Sequence, residues 1–280
     1  MAKARVVNVQ FNDEQIDFSQ YTHRLLAEGD SWFAWAHLNL VPSSSIVEQL
    51  EFRKPAVIVN LAYSGEVIHD ISDAMSNFQF ELELQALRYD AILMSGGGND
   101  LIDALRPEGG GPAIIVSNNG TPGAADSYVD TAALKALTDD VLASYRRIIA
   151  QRDASDANAA TPIVLHTYDY PTPRNAKAKF FGQSARGPWL LPAMQAAAVP
   201  AGLYEDVTDI VFNALAEALL RLHDPANGVH VVDTRDTIMR ADLGTTELSG
   251  DWINEIHPDA HGYALLARVL GKALADLDIK

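Results

Sequence analysis

The chain has 280 residues, 48% of them hydrophobic, and sets 37 acidic against 21 basic side chains for a net charge of -16. That apolar content is enough for a large core and excludes wholesale disorder, while the acidic excess repels nucleic-acid phosphates and anionic membrane surfaces, so neither is an expected partner. No cysteine occurs, which excludes disulfides, thiolate metal sites and cysteine nucleophiles.

The N-terminal stretch has no apolar signal region, and no long uncharged apolar run appears elsewhere, so a cytoplasmic protein without a membrane span is expected. The length fits one α/β domain over residues 1–280. Nothing in the sequence speaks to oligomeric state.

After an N-terminal arm at 1–20, short runs rich in Val, Ile and Leu recur at 25–27, 55–61, 91–95, 163–167 and 229–233. They are too continuous for strands with one wet face, which predicts five parallel strands buried on both sides. Apolar residues at helical spacing lie between and after them: Leu134, Leu137, Val141, Tyr145 and Ile148; then Val207, Ile210, Val211, Ala214, Ala218 and Leu222; finally Leu266, Val269, Leu270 and Leu274. This alternation predicts a three-layer α/β/α sandwich joined by right-handed crossovers. Two segments break it: 107–128, with Gly109-Gly110-Gly111-Pro112 and Asn118-Asn119-Gly120, and 171–200, with Phe180, Phe181, Trp189, Leu190 and Leu191. Both follow the carboxyl end of a predicted strand and are expected to wall a pocket.

That edge of a parallel sheet is where ligands bind. The first strand ends in Gly29-Asp30-Ser31 and runs into Trp32-Phe33-Ala34-Trp35, which is compatible with a helix. Taken alone, Asp30 or Ser31 would serve as a helix cap. The next strands end in Tyr63-Ser64-Gly65, Gly96-Gly97-Gly98-Asn99-Asp100 and Tyr168-Asp169-Tyr170, and Asp251-Trp252-Ile253-Asn254-Glu255-Ile256-His257-Pro258 precedes the last helix. Ester hydrolysis needs a nucleophile, a base and donors aimed at the developing oxyanion. Ser31 can supply the first and His257 the second. The donors would be the backbone N–H groups of Ser31 and Gly65 and the side-chain amide of Asn99, since glycine admits close approach and an amide donates without charge.

Gly29-Asp30-Ser31, Gly65, Gly97-x-Asn99-Asp100 and His257-Pro258 resemble, in order and spacing, the four sequence blocks of the SGNH hydrolases, also called GDSL-like esterases and lipases. The resemblance implies a flavodoxin-like fold and cleavage of carboxylic esters or O-acetyl groups. It further implies Ser31 as nucleophile, His257 as base, an oxyanion site of Ser31, Gly65 and Asn99, a small-molecule or acyl ester as substrate, and no cofactor. The family usually carries an aspartate three residues before the histidine, where this chain has Asn254. Asn254 ranks first as the group orienting His257, then Asp251, then a plain Ser-His dyad; Glu255 is also near in sequence. Candidate substrate contacts are Asp30, Trp32, Asp100 and Tyr168, although Trp32, like Trp35, also reads as core, and the neighbouring His166 reads as a satisfied core histidine. His257 and His261 have the i, i+4 spacing of metal ligands, but Pro258 stands where the zinc protease motif needs glutamate, so no metal is expected. The rival functions are a catalytically silent binding protein of the same fold and an acyltransferase sharing the acyl-enzyme.

Overall fold

In the computed structural model, which describes residues 1–9, 16–34, 44–105, 112–118, 123–180 and 183–280, the predicted apolar runs lie in one parallel sheet of six strands. In chain order these are β1 (Arg5–Asn8), β2 (His23–Gly29), β3 (Ala56–Asn60), β4 (Ala91–Ser95), β5 (Ile163–His166) and β6 (Val229–Val232). Their spatial order is β6-β5-β4-β2-β3-β1. Every residue of β3, β4 and β5 is buried, because helices cover both faces of the sheet.

The expected five strands are all present, and the sixth, β1, comes out of the N-terminal arm to pair with β3 at the sheet edge. Only Val7 of β1 is buried. Two apolar residues, Val6 and Val7, are too short a run to mark a strand, and the edge position that leaves Val6 only partly buried is set by the rest of the sheet.

The helices are α1 (Ile46–Gln49), α2 (Ile68–Ser72), α3 (Phe78–Ala86), α4 (Gly98–Leu105), α5 (Thr131–Ala154), α6 (Leu191–Ala196), α7 (Tyr204–Leu220) and α8 (Ala260–Asp276). Helix α1 packs on α8, while α5 packs on α2, α4 and α7, giving the outer layers of the sandwich. Leu134, Val141, Tyr145 and Ile148 of α5, and Leu266, Leu270 and Leu274 of α8, point into the core as their spacing predicts. Each such side chain withdrawn from water stabilises the fold by roughly 1.5–3 kcal/mol. No helix among the described residues is long and apolar enough to cross a membrane.

Of the two irregular segments, 171–200 holds a small antiparallel hairpin, Ala178–Phe180 with Gln183–Arg186, followed by α6. Elements this short are below the reach of periodicity. None of the described residues of 107–128 lines the pocket beside Ser31. Ile114, Ile115 and Tyr128 are buried in the core, and the one-turn helix Ala125–Tyr128 lies against α7. Gly109 to Gly111 and Asn119 to Pro122 lie outside the described residues, as do Trp35 and Phe181.

Candidate active site

Strand β2 is flanked by β3, which follows it in the chain, and by β4, which lies beyond, so the sheet reverses its winding direction there. A crevice forms outside the carboxyl ends of strands at such a reversal. Ser31 stands directly after β2. Getting there requires glycine at 29: a Cβ on Gly29 would lie 2.3 Å from the Ser95 carbonyl oxygen of the adjoining strand. The chain then turns, with the N–H of Ala34 donating to the Asp30 carbonyl at 2.9 Å. Residues 31–34 form this turn rather than the start of a regular helix.

His257 approaches from the loop before α8 and places Nε2 2.9 Å from the Ser31 hydroxyl. Its Nδ1 lies 3.0 Å from Asn254 Oδ1. That oxygen also accepts the backbone N–H groups of Ile256 at 3.1 Å and His257 at 2.9 Å. Because only an oxygen can receive those two donors, the amide cannot be flipped, so Nδ1 carries the ring proton and Nε2 keeps its lone pair toward Ser31. Burial pushes the His257 pKa down to about 4, against a smaller opposing pull from the Asp30 charge. A neutral amide at 254 supplies no charge to favour the imidazolium. The ring is therefore neutral at neutral pH.

Of the expected donors, Gly65 lies on the loop after β3 and Asn99 in α4. Gly65 has φ +89°, a left-handed conformation that favours glycine. Asn99 lines the pocket beside Ser31 and spends one amide N–H on the Glu66 carbonyl at 2.8 Å, leaving the second. Among the described residues, nothing accepts the backbone N–H of Ser31 or Gly65. Asp100 holds the same loop, its Oδ2 accepting the N–H of Ile68 at 2.9 Å, and burial raises its pKa to about 6.

Several of the residues expected to contact substrate also carry bonds within the protein. Asp30 Oδ1 accepts the N–H of Trp32 at 3.0 Å and the Ser95 hydroxyl at 2.7 Å, and its Oδ2 accepts the Tyr168 hydroxyl at 2.5 Å. Its carboxylate thus braces the turn that presents Ser31 while lining the same pocket, and that of Asp100 braces the Gly65 loop. Trp32 and Tyr168 line the pocket with Ile102, Phe212, Trp252 and Ile256, but their polar atoms are spent on the Ile256 carbonyl and on Asp30, so they offer only ring surface. Asp251 does not meet His257: its Oδ1 lies 2.8 Å from His261 Nδ1 and its Oδ2 accepts the N–H of Met239 at 2.7 Å. His257 precedes α8 and His261 lies in it, so the two do not share a helix face. Asp251, Asp259 and His261 bring ligand atoms within 4.8 Å of one another, outside the Ser31 pocket.

Three participants have roles that the sequence reading did not assign. Trp189 sets its ring edge-on to His257, with centroids 5.6 Å apart. Glu255, fully buried, accepts the N–H groups of Leu190 and Leu191 at 2.9 Å each, that of Arg174 at 3.1 Å and that of Trp189. Burial raises its pKa to about 7. The guanidinium of Arg174 in turn donates to the Asn254 carbonyl at 2.8 Å. The histidine loop and the 171–200 segment are thereby tied together. No local pattern marks these partners, since 66 residues separate Trp189 from Glu255.

An α/β sandwich that brings a serine hydroxyl, a neutral imidazole and amide groups together at its switch point is the framework of an ester-cleaving hydrolase. The model of the GDSL-like Lipase/Acylhydrolase family matches residues 27–265. The chain belongs to that family and is a carboxylic ester hydrolase. No curated protein matches it in sequence. Among solved structures, the lipase Lip_vut3 from goat rumen metagenome is 14% identical, with 90% of this chain and 97% of that one covered and a TM-score of 0.56, a likeness of fold. The acetylxylan esterase Axe2 from Geobacillus stearothermophilus is also 14% identical, with 93% and 96% covered and a TM-score of 0.44.

Proposed function

We propose that the chain cleaves small-molecule carboxylic esters, O-acetyl groups included, through an acyl-enzyme on Ser31. The observation that carries this reading is the 2.9 Å approach of His257 Nε2 to the Ser31 hydroxyl. The Ser31 oxygen attacks the acyl carbon as Nε2 takes its proton, and the carbonyl oxygen becomes an oxyanion facing the N–H groups of Ser31, Gly65 and Asn99. Collapse expels the alcohol, which leaves with the proton from Nε2. Water then attacks the acyl-enzyme by the same route in reverse, releasing the acid and restoring the serine. Asn254 keeps the ring in the required tautomer throughout.

A fluorophosphonate probe tests this reading, because only an activated serine reacts with it. Stoichiometric labelling of Ser31 is the expected result. An unlabelled folded protein would favour the silent binding role, and ester products formed on adding an alcohol would favour acyl transfer.

The low basicity of His257 gives a second expectation. The base must be neutral, so kcat/KM should hold as pH falls and decline only through about pH 4, below the ordinary histidine range. Asn254→Asp would place a carboxylate on Nδ1, stabilise the imidazolium and raise that pKa. The acid limb should then move upward, and turnover near pH 8 should rise ~10- to 100-fold as the base strengthens. An acid limb at the same pH in both proteins would refute the contact's role.

A further inference from the structure

Segment 186–191 runs between the Gly65 loop and His257. At one end Trp189 packs on His257, and its N–H is anchored on Glu255. At the other end Arg186, the last residue of the hairpin, reaches Gly65: its Nη1 lies 3.7 Å from where a Cβ on that glycine would stand, with no other heavy atom within 4 Å. The guanidinium therefore borders the loop that carries the Gly65 N–H. The side chain is exposed, and among the described residues none accepts a hydrogen bond from it or pairs with it. The contrast with neighbouring cations is informative. Lys179 of the same hairpin pairs with Glu247 at 2.6 Å, and Arg174 is spent on the carbonyls of Glu247, Trp252 and Asn254 and the hydroxyl of Thr245. Arg186 alone of these three has its charge and all five donors unspent.

We infer that Arg186 is a specificity-determining residue that selects esters bearing an anionic group, such as a carboxylate or a phosphate, near the scissile carbonyl. The inference rests on the proposed roles of Ser31 and Gly65. A protein of net charge -16 repels an anionic substrate at long range. Beside Gly65, within the Debye length of about 8–10 Å, an unpaired guanidinium reverses the sign of that interaction. Its planar fork fits two oxygens of one anion. Glu66, next to Gly65, turns its carbonyl to Asn99 and does not pair with Arg186, so the guanidinium remains available.

The test compares matched esters that differ only in charge. On the alcohol side these are 4-acetoxybenzoate and its methyl ester; on the acyl side, the 4-nitrophenyl monoester of adipic acid and its methyl-capped form. The readout is the ratio of kcat/KM for the anionic member to that for the neutral one. In at least one pair the ratio should fall roughly 5- to 10-fold in Arg186→Gln and further in Arg186→Glu, and should be partly kept in Arg186→Lys. Raising salt from about 20 mM to about 500 mM should shrink the wild-type ratio and leave that of Arg186→Gln nearly level. Ratios unchanged by substitution in both pairs would overturn the inference, as would equal losses on both members, which would mark Arg186 as a general oxyanion donor or a structural residue. Failure of the underlying reading looks different: both members of each pair would be cleaved equally well by Ser31→Ala.

Discussion

Ser31→Ala is expected to reduce turnover of 4-nitrophenyl esters by at least ~10^4-fold, with KM changed little, because the acyl-enzyme route is lost while the pocket persists. The geometry makes this a clean substitution. The hydroxyl's hydrogen-bond partner is His257 at 2.9 Å, and the turn that carries residue 31 is braced by Asp30, Ser95 and Tyr168, which alanine leaves in place. The residual rate is the part of catalysis that oxyanion donors and binding supply without a nucleophile. A variant that keeps turnover within ten-fold of wild type would rule out Ser31 as the attacking group.

Asn99→Ala is expected to lower kcat by about 10²- to 10³-fold, the usual cost of one lost oxyanion donor. The same side chain also ties down the Glu66 carbonyl, so a loss could reflect a shifted loop instead of a missing donor. Asp100→Ala separates the two. It removes the carboxylate that holds the Ile68 N–H on the same loop but takes nothing from the oxyanion, so a loss of no more than about ten-fold is expected. Equal losses in the two variants would assign Asn99 to loop positioning, and an unimpaired Asn99→Ala enzyme would dismiss it from the site.

The central strands and long helices were legible from residue order because burial leaves a periodic record. Strands covered on both faces read as unbroken apolar runs, as in β3, β4 and β5, and one-sided helices such as α5 repeat their apolar positions every three to four residues. Strand β1 left too short a record, since its edge place fully buries only Val7 and its apolar run is just Val6-Val7. Residues at strand ends were legible for a related reason. The ends of buried parallel strands converge on one edge, so Ser31, Gly65 and Asn99 could be grouped without coordinates.

The choice among Asn254, Asp251 and Glu255 had no such basis. All three lie within six residues of His257 in a loop without period, and their directions are set by atoms far along the chain: Met239 N–H for Asp251, and the backbone of Arg174 and of Trp189 to Leu191 for Glu255. Sequence by itself thus determined the layered α/β framework and the small set of polar residues along its carboxyl edge, because burial and backbone geometry are local demands that each residue answers where it stands. Tertiary structure alone decided that Asn254 meets the imidazole, that Asp30 and Asp100 brace the loops around the serine, and that Arg186 stands beside Gly65. Those outcomes depend on how distant loops share their hydrogen bonds, a competition that no local stretch of residues records.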